Sequence, residues 1–290
     1  MKKRILAYSL FIIVAFGCTD NKKNSSSQDQ NMAENTGKTE KVSTSTPTSG
    51  IIREERTVPS DGFYQVTLVG SPDVVFTQGP YSIVVEGHPD IISSVVTEID
   101  SKSLQINIEG EHFIERQSFN NASGVTVYVS CPEIKYIAVC GSGKFKTEGT
   151  ISGDDMQFGI MGSGGLDIEK IQCKNFDLQA SGNGETDIDE IIAENANITS
   201  VGGGDTDCSL NVSGNVSIEN GGNGETDIKC TSKKLEIYTN STGDFDLDIN
   251  CDNFKLTAAG TGKIEMKGMA TTKQIHNSLN CKIEDYISKK

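Results

Sequence analysis

The sequence predicts an all-β chain wound as a parallel β-solenoid, or β-helix, of about 20 residues per coil, with an N-terminal β-rich cap. Three observations predict it: a recurring glycine step at nearly fixed spacing, an alternating strand after each step, and a second alternating strand before it. The steps read GSGKF from Gly141, GSGGLDI from Gly162, GNGETDI from Gly182, GGGDTDC from Gly202 and GNGETDI from Gly222. They continue as STGDFDL from Ser241 and GTGKIEM from Gly260, so successive starts lie 21, 20, 20, 20, 19 and 19 residues apart. That period is too short for a helical repeat or a propeller blade. Such a unit cannot bury its apolar face alone, so copies must stack.

The strand before each step places Phe158 and Ile160, then Phe176, Leu178 and Ala180, then Ala196 and Ile198 on one face. Val216 and Ile218, Leu235 and Ile237, and Phe254, Leu256 and Ala258 continue it. The strand after each step does the same with Leu166 and Ile168, Thr186 and Ile188, Phe245 and Leu247, and Ile264 and Met266. Period-two alternation means one buried and one wet face. Coil-to-coil pairing then sets equivalent residues about 4.8 Å apart, over residues 131–290 including a C-terminal cap after about Gly268. The glycines belong at corners, where positive φ or close stacking is needed.

Residues 57–130 lack the repeat and form the expected cap. Strands are predicted near Phe63 to Val69, Val74 to Thr77, Ser82 to Glu86, Ser103 to Ile108 and Val125 to Val129. A short helix is predicted over Pro89 to Ile99, with Pro89 in its first turn and Ile91, Ile92, Val95 and Ile99 at helical spacing. Capping matters because an open end exposes unpaired backbone edges.

Residues 1–17 read as a lipoprotein signal peptide. Lys2, Lys3 and Arg4 precede an apolar run from Ile5 to Phe16, too short to cross roughly 30 Å of hydrocarbon. Ala15-Phe16-Gly17-Cys18 resembles a lipobox, with Phe16 a looser fit, and makes Cys18 the expected site of lipidation. Residues 18–56 then begin with an acylated cysteine and a tether of Asn, Ser, Thr, Lys and Gln, with almost nothing apolar to offset the entropy of ordering. The expected location is the bacterial cell envelope, lipid-anchored, at the outer membrane and facing either periplasm or surface.

The net charge of −14 and the scarcity of arginine argue against nucleic acid, which needs clustered Lys and Arg. The absence of Trp weakens sites built on aromatic platforms. Beyond Cys18 come Cys131, Cys140, Cys173, Cys208, Cys230, Cys251 and Cys281, an odd number with no C-x-x-C spacing. They read as small core residues; one local disulfide between coils stays open.

The runs Phe63-Tyr64-Gln65-Val66-x-x-x-Gly70, Asp73-Val74-Val75-Phe76-Thr77-Gln78-Gly79, Ser82-Ile83-Val84-Val85-Glu86-Gly87 and Leu104-Gln105-Ile106, followed by the Gly-Ser-Gly steps, resemble the head GIN domain family. This family, also called the auto-transporter adhesin head domain, is common in Bacteroidetes lipoproteins. The resemblance covers about residues 57–270. It implies a right-handed parallel β-helix in the envelope and carries no catalytic residues to transfer.

The most site-like feature is an acidic column: Glu185 and Asp187, Asp205 and Asp207, Glu225 and Asp227, and Asp244 and Asp246 should share one outer face. Like charges at that spacing repel, and a divalent cation such as calcium would relieve them. The plainer reading, and the favoured one, is a solvated face whose charge keeps an exposed sheet soluble and unable to pair at its edges. No catalytic residues are expected. His88, His112 and His276 fall in separate non-repeat segments, Arg116 is the only arginine beyond residue 56, and no Gly-x-Ser-x-Gly elbow is present. Residues 113–123, with Phe113, Arg116 and Phe119, interrupt the strand pattern as a surface loop.

The leading expectation is a non-enzymatic lipoprotein, held at the membrane through Cys18, whose adhesin-like face meets a protein or glycan or acts as a spacer. The alternatives are a carbohydrate-active β-helix enzyme, polysaccharide lyase or hydrolase, and an envelope-stress or signalling accessory. A groove with converging carboxylates and a basic residue favours the enzyme; flat ladders favour the binder.

Overall fold

The computed structural model describes residues 50–108, 124–278 and 281–290. The leader, Cys18 and most of the tether, as well as His112 and the loop 113–123, lie outside the described residues. Thr48–Lys290 forms one compact unit. It is a β-solenoid of about 8 turns, repeating about every 20 residues.

Two parallel stacks make the walls. The strands ahead of the glycine corner, Asp155–Gly162, Asn175–Gly182, Asn195–Gly202 and Asn215–Gly222, pair in register with one another. The strands beyond the corner, Gly165–Gln172, Glu185–Ala193 and Thr206–Val212, do likewise. From residue 226 onward the two strands flanking the other corner fuse into single runs, Thr226–Thr239, Phe245–Ala258 and Lys263–Asn277. Lys282–Lys289 adds the last in-register strand.

The first coil comes from the non-repeat segment. Gln65–Gly70 and Asp73–Gln78 pair parallel with Tyr136–Gly141 and Lys144–Thr147. On their other side lie Ser103–Ile108 and Thr126–Cys131, also parallel. Antiparallel strands then close this end: Val95–Asp100 on Ser103–Ile108, and Ser82–Gly87 on Thr126–Cys131, with Ile52–Glu55 outside it.

The helix predicted over Pro89 to Ile99 is only Pro89–Ile92. Val95–Asp100 is a strand instead. Its β-branched Val95, Val96, Thr97 and Ile99 suit a pleated surface. Ser101 and Lys102, at φ 51° and 71°, make a tight hairpin turn onto Ser103–Ile108.

The core is one continuous column of inward residues. Ile168, Ile188, Cys208, Ile228, Leu247 and Met266 stack in register and are all buried. Phe158 and Phe176 meet edge to face at 5.4 Å, a contact that contributes about 1 kcal/mol beyond its buried area. None of the seven cysteines is in a disulfide. Cys131, Cys208, Cys230, Cys251 and Cys281 are buried as small apolar residues, and burial pushes the Cys230 thiol up to about 12.

The glycine corner is a backbone ladder. The Gly141 carbonyl accepts N–H bonds from Ser163 and Gly164 of the next coil, at 2.9 and 2.8 Å. The Gly182 carbonyl accepts from Gly203 and Gly204 at 2.8 and 3.2 Å. Just inside this corner runs a buried polar cluster. Ser200 and Thr206 share a hydrogen bond of 2.9 Å; Asn220 donates to Thr226 at 2.8 Å and accepts from Thr239 at 2.8 Å.

Candidate functional site

The strands beyond the glycine corner present the acidic flank. Asp167, Asp187, Asp207, Asp227, Asp246, Glu265 and Glu284 are successive register partners. Each follows an inward residue by one position, buried in every case but the half-buried Ile283, so the pleat turns it outward. Glu185, Asp205, Glu225 and Asp244, two positions earlier, form a parallel row at the corner. All eight predicted acidic residues therefore lie on one flank, in two rows.

The two rows differ chemically. Corner carboxylates hold backbone: Asp205 Oδ1 accepts the Glu225 N–H at 2.9 Å, and Asp244 Oδ1 accepts the Lys263 N–H at 3.3 Å. Asp73 does the same for Lys144 at 2.9 Å in the first coil. The other row is closed by lysines at its ends. Lys146 pairs with Asp167 at 3.0 Å, and Lys263 bridges Glu265 and Glu284 at 2.7 and 3.2 Å. Between these ends the charges face one another. Desolvation, then repulsion from Asp189, Asp207 and Asp167, holds the Asp187 carboxyl above the usual carboxylate range. Desolvation, then Asp246 and Asp207, raises Asp227, and Lys267 partly offsets this. Glu225, Asp227 and Asp246 each offer an oxygen within 4.8 Å of the others, three donors on an exposed surface.

The opposite wall carries a feature that the inward residues do not announce. A shallow trench of about 660 Å³ runs along the strands ahead of the glycine corner. One polar row on it is Gln65, Tyr136, Gln157, Asp177, Asn197, Ser217 and Glu236, in unbroken register. Beside it stand Asp155, Asn175, Asn195, Asn215 and Lys234. These amides are chained: Asn175 Nδ2 donates to Asp155 at 2.7 Å, Asn195 to Asn175 at 3.1 Å, and Asn215 to Asn195 at 3.4 Å. At the far end Lys234 turns to Glu236 at 2.8 Å and holds its carboxyl below the usual range. The signal was in the sequence as the aligned triplets Asn175-Phe176-Asp177, Asn195-Ala196-Asn197 and Asn215-Val216-Ser217, whose outward members repeat as faithfully as the inward ones.

Of the histidines, His88 caps the short helix, its ring accepting the Asp90 N–H at 3.4 Å. His276 lies in the exposed end of Lys263–Asn277, in register with Thr257. A second cavity, about 400 Å³, is lined by Arg56, Ser60 and Tyr81 near the first coil. Arg56 there is engaged with the Ile92 carbonyl at 3.0 Å and Glu54 at 3.0 Å.

Fold and flanks together define a parallel β-solenoid protein whose sides are regular side-chain ladders. The chain belongs to the family described as "Putative auto-transporter adhesin, head GIN domain", whose model matches residues 62–231 and 215–286. No curated protein matches the chain. Among solved structures it is similar to a "putative adhesin" from Bacteroides fragilis, at 18% identity and TM-score 0.61, covering 80% of this chain and 99% of that one. A "putative lipid binding protein" from Parabacteroides distasonis is similar at 20% identity and TM-score 0.66, covering 84% and 98%. A "putative adhesin" from Parabacteroides merdae is similar at 16% identity and TM-score 0.65, covering 84% and 97%. These likenesses establish a shared fold.

Proposed function

We propose that the chain is a non-catalytic binding module of the bacterial cell envelope, held at the outer membrane by lipid on Cys18, with its solenoid wall as the contact surface. The observation that carries this reading is the trench, a preformed polar surface of register-aligned side chains. The description of its family as an adhesin head supports the same reading, as does the naming of two similar structures as adhesins.

The enzyme alternative has less support. A glycosidase needs two carboxyl groups on either side of one bond, one of them with a raised pKa. Along the trench the carboxylates are tied up: Asp155 by Asn175, Asp177 by Gln179 and Asn197, and Glu236 by Lys234. The carboxyls that are raised, Asp187 and Asp227, stand on the acidic flank among like neighbours in a regular ladder. The lipid-binding name carried by one similar structure finds no counterpart in the polar rows.

Protease shaving of intact cells, with fractionation of wild type and Cys18→Ser, tests the reading. Loss of membrane association in Cys18→Ser is expected, together with capture of envelope or host-surface ligands by the wild-type chain. A cytoplasmic, soluble wild-type chain would overturn it.

A further inference from the structure

We propose that the trench is a binding site for a linear, uncharged glycan. The inference rests on the reading of the chain as a binding module and names the ligand class of that module.

The argument begins with length. Gln65, Tyr136, Gln157, Asp177, Asn197, Ser217 and Glu236 are consecutive register partners. Six steps at about 4.8 Å make a row roughly 29 Å long. A shallow furrow of that length and about 660 Å³ suits an extended polymer better than a compact molecule. Its rung spacing is close to the advance of one sugar ring along an extended glycan, so in a β-1,4 ribbon, whose successive rings are turned over, the same contact recurs at every second rung.

Chemistry selects the polymer. The middle of the trench is carboxamide and hydroxyl: Asn175, Asn195, Asn215, Asn197 and Ser217. Lys135, Asp155, Lys234 and Glu236 stand toward the ends, and the one mid-row carboxylate, Asp177, accepts from Gln179 at 3.1 Å and Asn197 at 3.4 Å. A polyanion would need clustered cations that this chain, at net −14, does not place there. An added peptide strand would need an open sheet edge, and the strands along the trench are paired on both sides. The recurring amides and hydroxyls along the trench match the hydroxyl rim of a sugar ring.

The amide chain is also polarised. Asp155 can only accept, so Asn175 must donate to it, and Asn195 and Asn215 follow the same sense. Each linked amide spends one N–H on its neighbour and keeps a second for a ligand. The outward N–H groups of Asn175, Asn195 and Asn215 are therefore set before binding, which limits the ordering cost and fixes one direction for a glycan with distinct ends.

The test is isothermal titration of the full chain with the β-1,4-linked hexamers of glucose and of N-acetylglucosamine, their dimers, and a galacturonate hexamer as the acidic control. A neutral hexamer is expected to bind at least about tenfold more tightly than its dimer and than the acidic hexamer. Asn195→Ala, which breaks the amide chain, should weaken it about tenfold. Ser217→Tyr, which fills the furrow and leaves the chain of amides intact, should abolish binding with no change in melting temperature. Asp207→Asn, on the other flank, should bind as wild type does. Hexamer binding that survives Ser217→Tyr would overturn the site. Capture of a protein ligand with no affinity for either neutral hexamer would overturn the glycan and leave the binding module standing. Absence of any ligand would remove both.

Discussion

Gly202 lies so close to Gly182 that a Cβ on it would sit 2.0 Å from the Gly182 carbonyl oxygen. Its φ of +151° is also one that side chains disfavour. That oxygen is the acceptor for Gly203 and Gly204, so it cannot move aside without breaking the corner ladder. Gly202→Ala should therefore destabilise the chain by about 3 kcal/mol or more, through backbone overlap with no flexible atom to yield. Gly159 is the control, because a Cβ there meets only the Gln179 carbonyl at 3.6 Å. Gly159→Ala should stay within about 0.5 kcal/mol of the parent. Thermal unfolding of the two variants side by side decides it, and equal melting temperatures would refute the account of the corner.

The buried polar cluster makes an opposed pair of predictions. Thr186 Oγ1 is buried and has no hydrogen-bond partner, because Ala180 occupies the column position that Ser200 fills one coil later. Thr206 Oγ1 has Ser200 as partner at 2.9 Å. Thr186→Val removes an unsatisfied hydroxyl and should leave stability unchanged or raise it by about 1 kcal/mol. Thr206→Val strands the Ser200 hydroxyl in the core and should cost about 1–2 kcal/mol. The same substitution thus changes sign between adjacent coils, and chemical denaturation that gave both the same sign would count against the assignment.

The solenoid was legible because two periodicities coincide. Alternation puts Phe158, Phe176 and Ile198 inside, and the glycine steps place the corners. The first coil was not, since Pro72 stands where later coils carry glycine, and a Cβ on Gly143 would lie 2.0 Å from its carbonyl oxygen. The excursion from Gln78 to Cys131 further separates that coil from its neighbours. The helix from Pro89 was overextended because Ile91, Ile92, Val95 and Ile99 also satisfy helical spacing, while the deciding turn at Ser101 and Lys102 lies beyond them. The acidic rows could be read residue by residue, since outward Asp contrasts with inward apolar neighbours. The amide rows become legible only when the repeats are aligned, because Asn and Ser in a single strand are unremarkable until the register stacks them.

Asp187 gives a pH dependence with a definite sign. Its folded pKa is raised, chiefly by desolvation and then by Asp189, Asp207 and Asp167. A raised carboxyl contributes its full stability below the ordinary carboxylate range and loses it as pH rises through the folded value. At pH 7 the parent therefore carries the repulsion in full. Asp187→Asn should melt about 1–2 °C higher than the parent at pH 7, and the difference should close as pH falls to about 4. Glu236 and Glu284 run the other way, because lysine hydrogen bonds lower them and their contribution is lost on acidification. The comparison must therefore be made between variant and parent at each pH. A difference that grows on acidification would contradict the sign.

Calcium separates the two readings of the acidic flank. Glu225, Asp227 and Asp246 bring three oxygens within 4.8 Å, all from exposed side chains. Calcium takes six to eight oxygens, so water must complete the shell, and the affinity should fall in the weak range of about 10⁻⁴–10⁻³ M. At millimolar calcium such a site contributes about 1 kcal/mol by mass action, or roughly 2–4 °C in melting temperature. Sodium chloride at equal ionic strength screens the row without bridging it, and should give a smaller rise. Asp227→Asn should remove the calcium-specific part and keep the screening part, because Asp187, Asp207 and Asp246 remain. Asp187→Asn, two coils away, should keep both. Equal shifts for calcium and sodium in the parent chain would reduce the flank to a solvated face whose charge keeps the sheet soluble.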